Sequence, residues 1–570
     1  METSPPRAAW RDLCVALLLA MVLSAAWALR DWQDLAALRL PDTDDMVRLQ
    51  QIRDWLAGQG FADLAQHRLG AAPGLEMHWS RLADLVPAAL LFALTPLLGA
   101  HAATLVAVTV APALHFFAAL ALTGAIARRL GAPSATAILL AALAYPAISL
   151  FMPGRIDHHA LQMVLLLLLV HALLGTGSFR AGMIAALAIT ASLVIGLETL
   201  PLLAVAGAAM VLLWVTDAPG AGNRLFGFGL VLPLALVGAG VVFRTSGWNV
   251  LACDGFTGLL WRAAQCAALA PLGLALFAIS APRSLRARWI ATGIAGLFAL
   301  VAMLSFAPQC LHPYGEVDPL LARLWLAEVG EAQPLFSAAP ANAIAYAGLA
   351  LVGLLASARI AWKSRSPGWW LLAALQLASL AVTLLQLRGA YAGALLAAPA
   401  LAVMIGAARQ RNALALAAAW IAATGILYPL AAAALFPPRV EPGPNCTAPD
   451  ALARLAALPP GRLLTPLDLG AYALAATPHS VIAAPYHRNN QGNRAMYDFF
   501  MRQPAQSEAI ARAWGVDYVA FCPGDLDHMA KAADQPESLA AQLGRGVIPA
   551  WLVPLDKGDG PRLYRIGTRH

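Results

Sequence analysis

Apolar runs recur along most of this chain, each near the roughly 20 residues an α-helix needs to cross a hydrocarbon layer. They fall at about 13–29, 102–127, 133–152, 160–174, 181–195, 200–215, 225–243, 264–279, 289–306, 341–360, 369–385, 391–408 and 413–436, about thirteen spans in all. Lipid offers no partner for a bare backbone group, so a chain of this pattern folds as an α-helical polytopic membrane protein. Of its 570 residues 60% are hydrophobic and 12% charged, against about 25% charged in an average soluble domain. The net charge of +7 sits in short clusters between apolar runs, the pattern of cytoplasmic loops, and so does not mark a nucleic-acid binder.

The run 85–98 decides the topology. If it crosses, Arg128-Arg129, Arg180, Arg224 and Arg409 fall outside. If it lies along the interface or re-enters they are cytoplasmic, and the positive-inside rule selects this arrangement. It is also broken by Pro87 and Pro96. The expected organisation is a transmembrane domain, 1–436, with a large first outer loop (30–101) and a second outer loop (308–340). A soluble extracytoplasmic α/β domain, 437–570, follows the linker prolines Pro437-Pro438 and Pro442-Gly443-Pro444. Strands are predicted at 480–484, 518–522 and 562–566, with helices at 506–514 and 537–543. The expected location is a bacterial inner membrane with the C-terminal domain periplasmic. None of the six cysteines forms a C-x-x-C pair, which argues against a zinc knuckle. The sequence leaves open whether Cys253–Cys310 and Cys446–Cys522 are bridged.

Polar groups gather at span ends on the outer side. Asp157-His158-His159 stands between two apolar runs. Interfacial anchors are usually Lys, Arg, Trp or Tyr; Asp-His-His is instead a set of metal ligands or acid/base groups. Pro41-Asp42-Thr43-Asp44-Asp45 opens a helix in the first outer loop, where the helix dipole accounts for one or two carboxylates but less well for three. Glu331 lies in the long second loop and Arg388 in a short outer turn. Carboxylates with imidazole suit a divalent cation such as Mn²⁺ or Mg²⁺. A cation and an arginine near a bilayer suit a lipid-linked phosphate or diphosphate leaving group.

These motifs, in this order, resemble the catalytic subunit of oligosaccharyltransferase, within the GT-C fold of polyprenol-dependent glycosyltransferases. The first acidic motif corresponds to Asp44 and the second to Asp157-His158-His159. Val329-Gly330-Glu331-Ala332-Gln333 resembles the family's S-V-S-E-H-Q-type loop, and Arg388 falls on its phosphate-contacting arginine. The resemblance implies Asp44, Asp157 and Glu331 as catalytic, Asp44, Asp157 and His159 as metal ligands, a polyprenyl-linked sugar donor, and a protein, lipid or glycan acceptor. One motif departs. The family's sequon-reading W-W-D-Y-G has its nearest counterpart in Leu467-Asp468-Leu469-Gly470-Ala471-Tyr472, without either tryptophan. Asp45, His158, His78, Arg81, Asp468, Tyr486, His487 and Arg488 are candidates for contacting acceptor or sugar. The alternatives are a GT-C enzyme moving a single sugar to a lipid or polysaccharide, or a transporter or flippase. Transporters, however, tend to place ionisable groups mid-span and to show internal repeats.

Overall fold

The computed structural model describes residues 6–280, 284–311, 317–437, 445–524, 536–555 and 560–567. Most of the proline linker and residues 312–316 of the second loop lie outside that set. The membrane-domain helices, in order, are α1 (Pro6–Arg30), α2 (Trp32–Ala36), α3 (Thr43–Leu56), α4 (Arg81–Leu98), α5 (Ala100–Arg129), α6 (Ser134–Ala141), α7 (His159–Leu173), α8 (Phe179–Ile195) and α9 (Leu200–Val215). They continue as α10 (Ala221–Val242), α11 (Gly258–Ser280), α12 (Leu285–Phe306), α13 (Pro319–Leu324), α14 (Pro340–Ser364), α15 (Pro367–Leu385), α16 (Ala390–Arg409), α17 (Ala413–Ala423) and α18 (Leu427–Leu435). A two-stranded hairpin, β1 (Ala65–Gln66) with β2 (Leu75–Glu76), stands between α3 and α4.

Among the described residues nine helices are long and apolar enough to cross a membrane, or ten if the bent pair α17–α18 is one span. The expected count differs for three reasons. It includes α7, α8 and α9, which are shorter, at 15, 17 and 16 residues. It leaves out α4, which passes on length and composition. The expected span 133–152 is also not one helix. α6 stops at Ala141, and a 3₁₀ turn, Ala147–Phe151, follows Pro146, whose missing N–H cannot continue a helical ladder. The α17–α18 break lies against this interruption, where Ile426 N–H donates to Leu143 O at 3.1 Å. Each broken segment thus helps satisfy the other's backbone where lipid could not.

The central helix is α16. Its most apolar window is 78% buried, against 6% for α12 at the rim. Alanines at 390, 392, 394, 397, 398, 400 and 402 line it, and such small side chains let neighbouring backbones approach closely.

Contacts distinguish the two ends of the bundle. At one end Arg30, closing α1, reaches Met152 Sδ at 3.6 Å, and Gly154 N–H donates to Val108 O of α5. At the other, Arg128 at the end of α5 pairs with Asp12 of α1. α5 therefore runs from the first end to the second. α4 is joined to α5 through Gly99 alone, at a φ of 77° that suits glycine. The first turn of α4 lies at that same end, because Asp84 pairs at 2.7 Å with Arg48, which also pairs with Asp157. Both ends of α4 thus lie on one side of the bundle, and it packs there as a hairpin on α5.

The C-terminal domain caps this same end. Its elements are α19 (Pro449–Ala456), β3 (Arg462–Leu464), α20 (Leu467–Ala476), β4 (Ser480–Val481), α21 (Asn490–Met501), α22 (Pro504–Ala513), β5 (Tyr518–Phe521), a short helix Leu539–Gly544, β6 (Leu552–Pro554) and β7 (Arg562–Ile566). The five strands run in the order β4-β3-β5-β7-β6. β3 is parallel to β4 and β5, and β7 is antiparallel to β5 and β6. The first loop extends the β4 edge: Val481 N–H donates to Arg68 O and Gly70 N–H to Val481 O. Buried residues of α3, α4 and α20 share one apolar core with the start of α5, so domain and loop form one body. Cys446–Cys522 and Cys253–Cys310 are disulfide-bonded, the second tying loop 243–257 to the start of the second long loop.

Candidate active site

Where the bundle meets the C-terminal domain lies a cavity of about 1160 Å³. Helix geometry sorts the three acids of the first loop into three tasks. Asp42 takes the N-cap of α3, accepting from Asp44 N–H at 3.1 Å, and pairs with Arg155 at 2.7 Å. Asp45, about 100° further round the helix per residue, is fully buried, and its Oδ1 accepts the backbone N–H groups of Ile156 and Asp157, both at 2.8 Å. Asp44 lines the cavity beside Asp42 and the Asp157 turn, and its carboxyl takes no part in the cap or in holding that turn's backbone. Burial and then the neighbouring carboxylates of Asp42, Asp157 and Glu331 push its carboxyl well above the usual range. Burial likewise pushes Asp45 up to about 7, against the pull of Arg155. The expectation of Asp45 as an acceptor or sugar contact is therefore corrected. It lies behind the cavity wall and positions Asp157 through its backbone.

Asp157 is enclosed by cations and imidazoles. Its Oδ1 lies 2.6 Å from His158 Nδ1 and 3.2 Å from Arg48 Nη2, and its Oδ2 contacts His159 Nδ1. Burial would raise this carboxyl, but His158 and His159 hold it well below the usual range. Arg48 is fully buried, stacks 4.6 Å over Trp79 and divides its fork between Asp84 and Asp157. A buried guanidinium is tolerable only when paired in this way.

Glu331 arrives on a 3₁₀ turn, Gly330–Ala332. That loop is tied to the Arg388 turn by Leu387 N–H donating to Gln333 O at 2.9 Å. Arg388 Nη2 lies 3.4 Å from Glu331 Oε1, and Tyr391 donates to Glu331 Oε2 at 3.1 Å. A residue that sequence reasoning missed completes the cluster. Glu198, between α8 and α9, places Oε2 3.1 Å from His159 Nε2 and 3.4 Å from His158 Nε2, and accepts from Arg388 Nη1 at 2.8 Å. Opposing charges hold Glu198 well below the usual carboxylate range in spite of burial. A lone acid interrupting apolar sequence, Ile195-Gly-Leu-Glu198-Thr-Leu200, is the signal that would have found it.

The C-terminal domain closes the wall with Asp468, in the first turn of α20, and with Tyr486 and His487. Tyr486 donates to Thr43 O at 3.3 Å and packs edge-on against Trp79. Tyr472 turns inward and donates to Leu40 O at 3.0 Å, so the segment aligned with the sequon-reading motif presents no aromatic ring from that position. His78 lines the cavity opposite, while Arg488 grips Asp254 at 2.5 and 2.7 Å from behind the wall. The expectation for Arg81 is also corrected. It is fully buried and bonds Asp84 and the carbonyls of Gln51 and Asp63 away from the cavity.

No family model matches this sequence, and no curated protein does. Among solved structures, the oligosaccharyltransferase AglB from Archaeoglobus fulgidus, in complex with an inhibitory peptide and a dolichol-phosphate, superposes with a TM-score of 0.69 at 15% identity over 94% of this chain and 72% of that one. This chain shares the fold of that structure. The A. fulgidus enzyme with Zn and sulfate gives a TM-score of 0.62 over 97% of this chain and 73% of that one, and the form tethered to an NVT-sequon peptide gives 0.65 over 97% and 74%, both at 15% identity. The GT-C architecture implied by the sequence resemblance is thus present, with its soluble sheet domain.

The donors around the cavity fit a divalent cation. Asp157, His158 and His159 present ligand atoms within 4.8 Å of one another. Burial, and then the carboxylates of Asp42, Asp157 and Glu331, raise the Asp44 carboxyl, and a cation among these acids would offset their charge.

Proposed function

We propose that this chain is a membrane glycosyltransferase that moves a sugar or oligosaccharide from a polyprenyl phosphate or diphosphate donor to an acceptor on the outer face. The observation that carries the reading is the convergence of Asp44, Asp157, Glu198, Glu331 and Arg388 at one cavity at the end of an apolar bundle. Arginines at the opposite end, such as Arg128 with Asp12 and Arg224 capping Leu173 O at 2.6 Å, support a cytoplasmic location for that end under the positive-inside rule. In this reading the cavity and residues 437–570 lie outside.

In the reaction the anomeric carbon loses its bond to the donor phosphate oxygen and gains one to the acceptor nitrogen or oxygen. The acceptor proton passes to the carboxylate of Asp44, which lines the cavity beside Asp157. Glu331, fixed by Tyr391 and Arg388, accepts a second hydrogen bond from the acceptor and orients it. Arg388 binds the leaving phosphate. Asp44, Asp157 and His159 would hold a Mn²⁺ or Mg²⁺ ion, which supplies charge stabilisation to the leaving group. The absence of tryptophan from 467–472 and the inward turn of Tyr472 favour a second reading of the acceptor, a lipid or polysaccharide hydroxyl rather than a sequon peptide.

The test is purified protein with Mn²⁺, a labelled polyprenyl-diphosphate oligosaccharide, and peptide, lipid and glycan acceptors offered in parallel. Transfer that disappears in Asp44→Ala supports the reading and names the acceptor class. No transfer to any acceptor by protein that binds Mn²⁺ would overturn it.

A further inference from the structure

A second cluster of ligating side chains lines the same cavity as Asp157. His78, on the segment between β2 and α4, Asp254, in the loop after α10, and His487, in the C-terminal domain, present ligand atoms within 4.8 Å of one another. All three line the cavity. Nothing in the proposed reaction uses them. They come from three segments far apart in sequence, and several contacts fix their positions. Gly255 brings its loop directly onto His78: a Cβ there would meet His78 O at 2.4 Å. Arg488 donates to the carbonyls of Glu76 and Met77 at 3.2 and 3.3 Å and grips both oxygens of Asp254. The neighbouring Cys253–Cys310 disulfide anchors the same loop.

We propose that His78, Asp254 and His487 form a second cation site, for an ion of the zinc class, separate from the cation at Asp44 and Asp157. Two imidazoles and one carboxylate are a donor set of that class. The ring geometry agrees. Two imidazoles bound tetrahedrally at about 2.0–2.1 Å hold their ring centres roughly 5 Å apart, and the centres of His78 and His487 lie 5.1 Å apart. Asp254 lies within 2.5 Å of His487 Nε2. The ion replaces the proton shared there and spreads the two atoms by less than about 1 Å, since tetrahedral donors stand roughly 3.3 Å apart. Arg488 remains on Asp254 as the outer partner that orients a ligating carboxylate. Three protein ligands leave a fourth position facing the cavity, where water or an oxygen of the acceptor binds. The site also pins the C-terminal domain to the first loop at the active-site wall.

The test uses the full-length protein in detergent, saturated with Mn²⁺ and titrated with Co²⁺ and Zn²⁺, with metal content counted after dialysis. Wild type should take up one Co²⁺ with the intense visible absorption of a tetrahedral ion, displaced by one Zn²⁺. Asp157→Asn should keep that absorption even though the other cation site is damaged, which separates this inference from the glycosyltransferase reading. His78→Ala and His487→Ala should each weaken Zn²⁺ binding more than about a hundredfold, and His487→Cys, which restores a ligand, should recover it. Absence of tetrahedral absorption in wild type, or wild-type Zn²⁺ affinity in monodisperse His78→Ala, would overturn the assignment.

Discussion

Asp45 offers a direct test of how the site is held. It touches no cavity space, yet its Oδ1 accepts from Ile156 N–H and Asp157 N–H at 2.8 Å. Ile156 N–H has a second acceptor in Gly154 O at 3.1 Å, so Asp45→Ala strands mainly the Asp157 amide. Leaving one buried N–H unpaired costs about 1–3 kcal/mol, and losing a charged acceptor about 1.5–3. Arg155 keeps Asp42 at 2.7 Å, which limits the damage, and a net loss of about 2–5 kcal/mol in stability is expected. Asp45→Asn keeps an oxygen for both amides and should lose only about 1 kcal/mol. Because Asp157 is placed through this amide, Asp45→Ala should also weaken Mn²⁺ binding roughly ten- to a hundredfold, as loss of an outer-shell partner does, while Asp45→Asn stays close to wild type. Thermal unfolding in detergent and Mn²⁺ titration by paramagnetic resonance read the two effects. If alanine binds Mn²⁺ as tightly as wild type, or asparagine fails as badly as alanine, the positioning role is wrong.

Other perturbations address the rest of the cavity. Excess chelator should abolish transfer and Mn²⁺ or Mg²⁺ should restore it, while Asp44→Ala and Asp157→Ala stay inactive in folded protein; full turnover in chelator would refute the cation. Arg388→Lys should lose roughly ten- to a hundredfold in donor use, about 1.5–3 kcal/mol for a charged hydrogen bond, because one ammonium cannot replace the fork between Glu198 and Glu331; wild-type kinetics for this variant would exclude a phosphate contact. Glu198→Gln removes a negative charge 3.1 Å from His159 Nε2 and should weaken Mn²⁺ about tenfold with little change in thermal stability; unchanged affinity would leave Glu198 outside the cation's surroundings. Cysteine labelling of residues in 437–570 from outside intact cells tests the orientation, and labelling only after permeabilisation would reverse it.

What the sequence determined by itself follows from local periodicity and composition. Apolar runs near span length dictate a helical membrane protein whatever their partners, because every backbone group must be satisfied within its own segment. The motifs at Asp44, Asp157, Glu331 and Arg388, which the fold brings to one cavity, stand out in the sequence as polar groups in the loops and turns between apolar runs. Even here, a broken crossing read as a continuous one: the apolar content of 133–152 is uniform, and the interruption at Pro146 is stabilised in part by Leu143 meeting Ile426, a contact no local pattern encodes. Tertiary structure alone decided which way each side chain points. Three acids within four residues became a cap, a cavity group and a backbone clamp, because successive helix positions rotate by about 100° and only packing fixes which direction is the cavity. It also decided that Glu198 meets Arg388, 190 residues away, and that Arg81 bonds carbonyls in the first loop instead of lining the site. Charge pairs at such separations depend on where whole helices come to rest, and that depends on the sum of many apolar contacts, not on the spacing of the charged residues themselves.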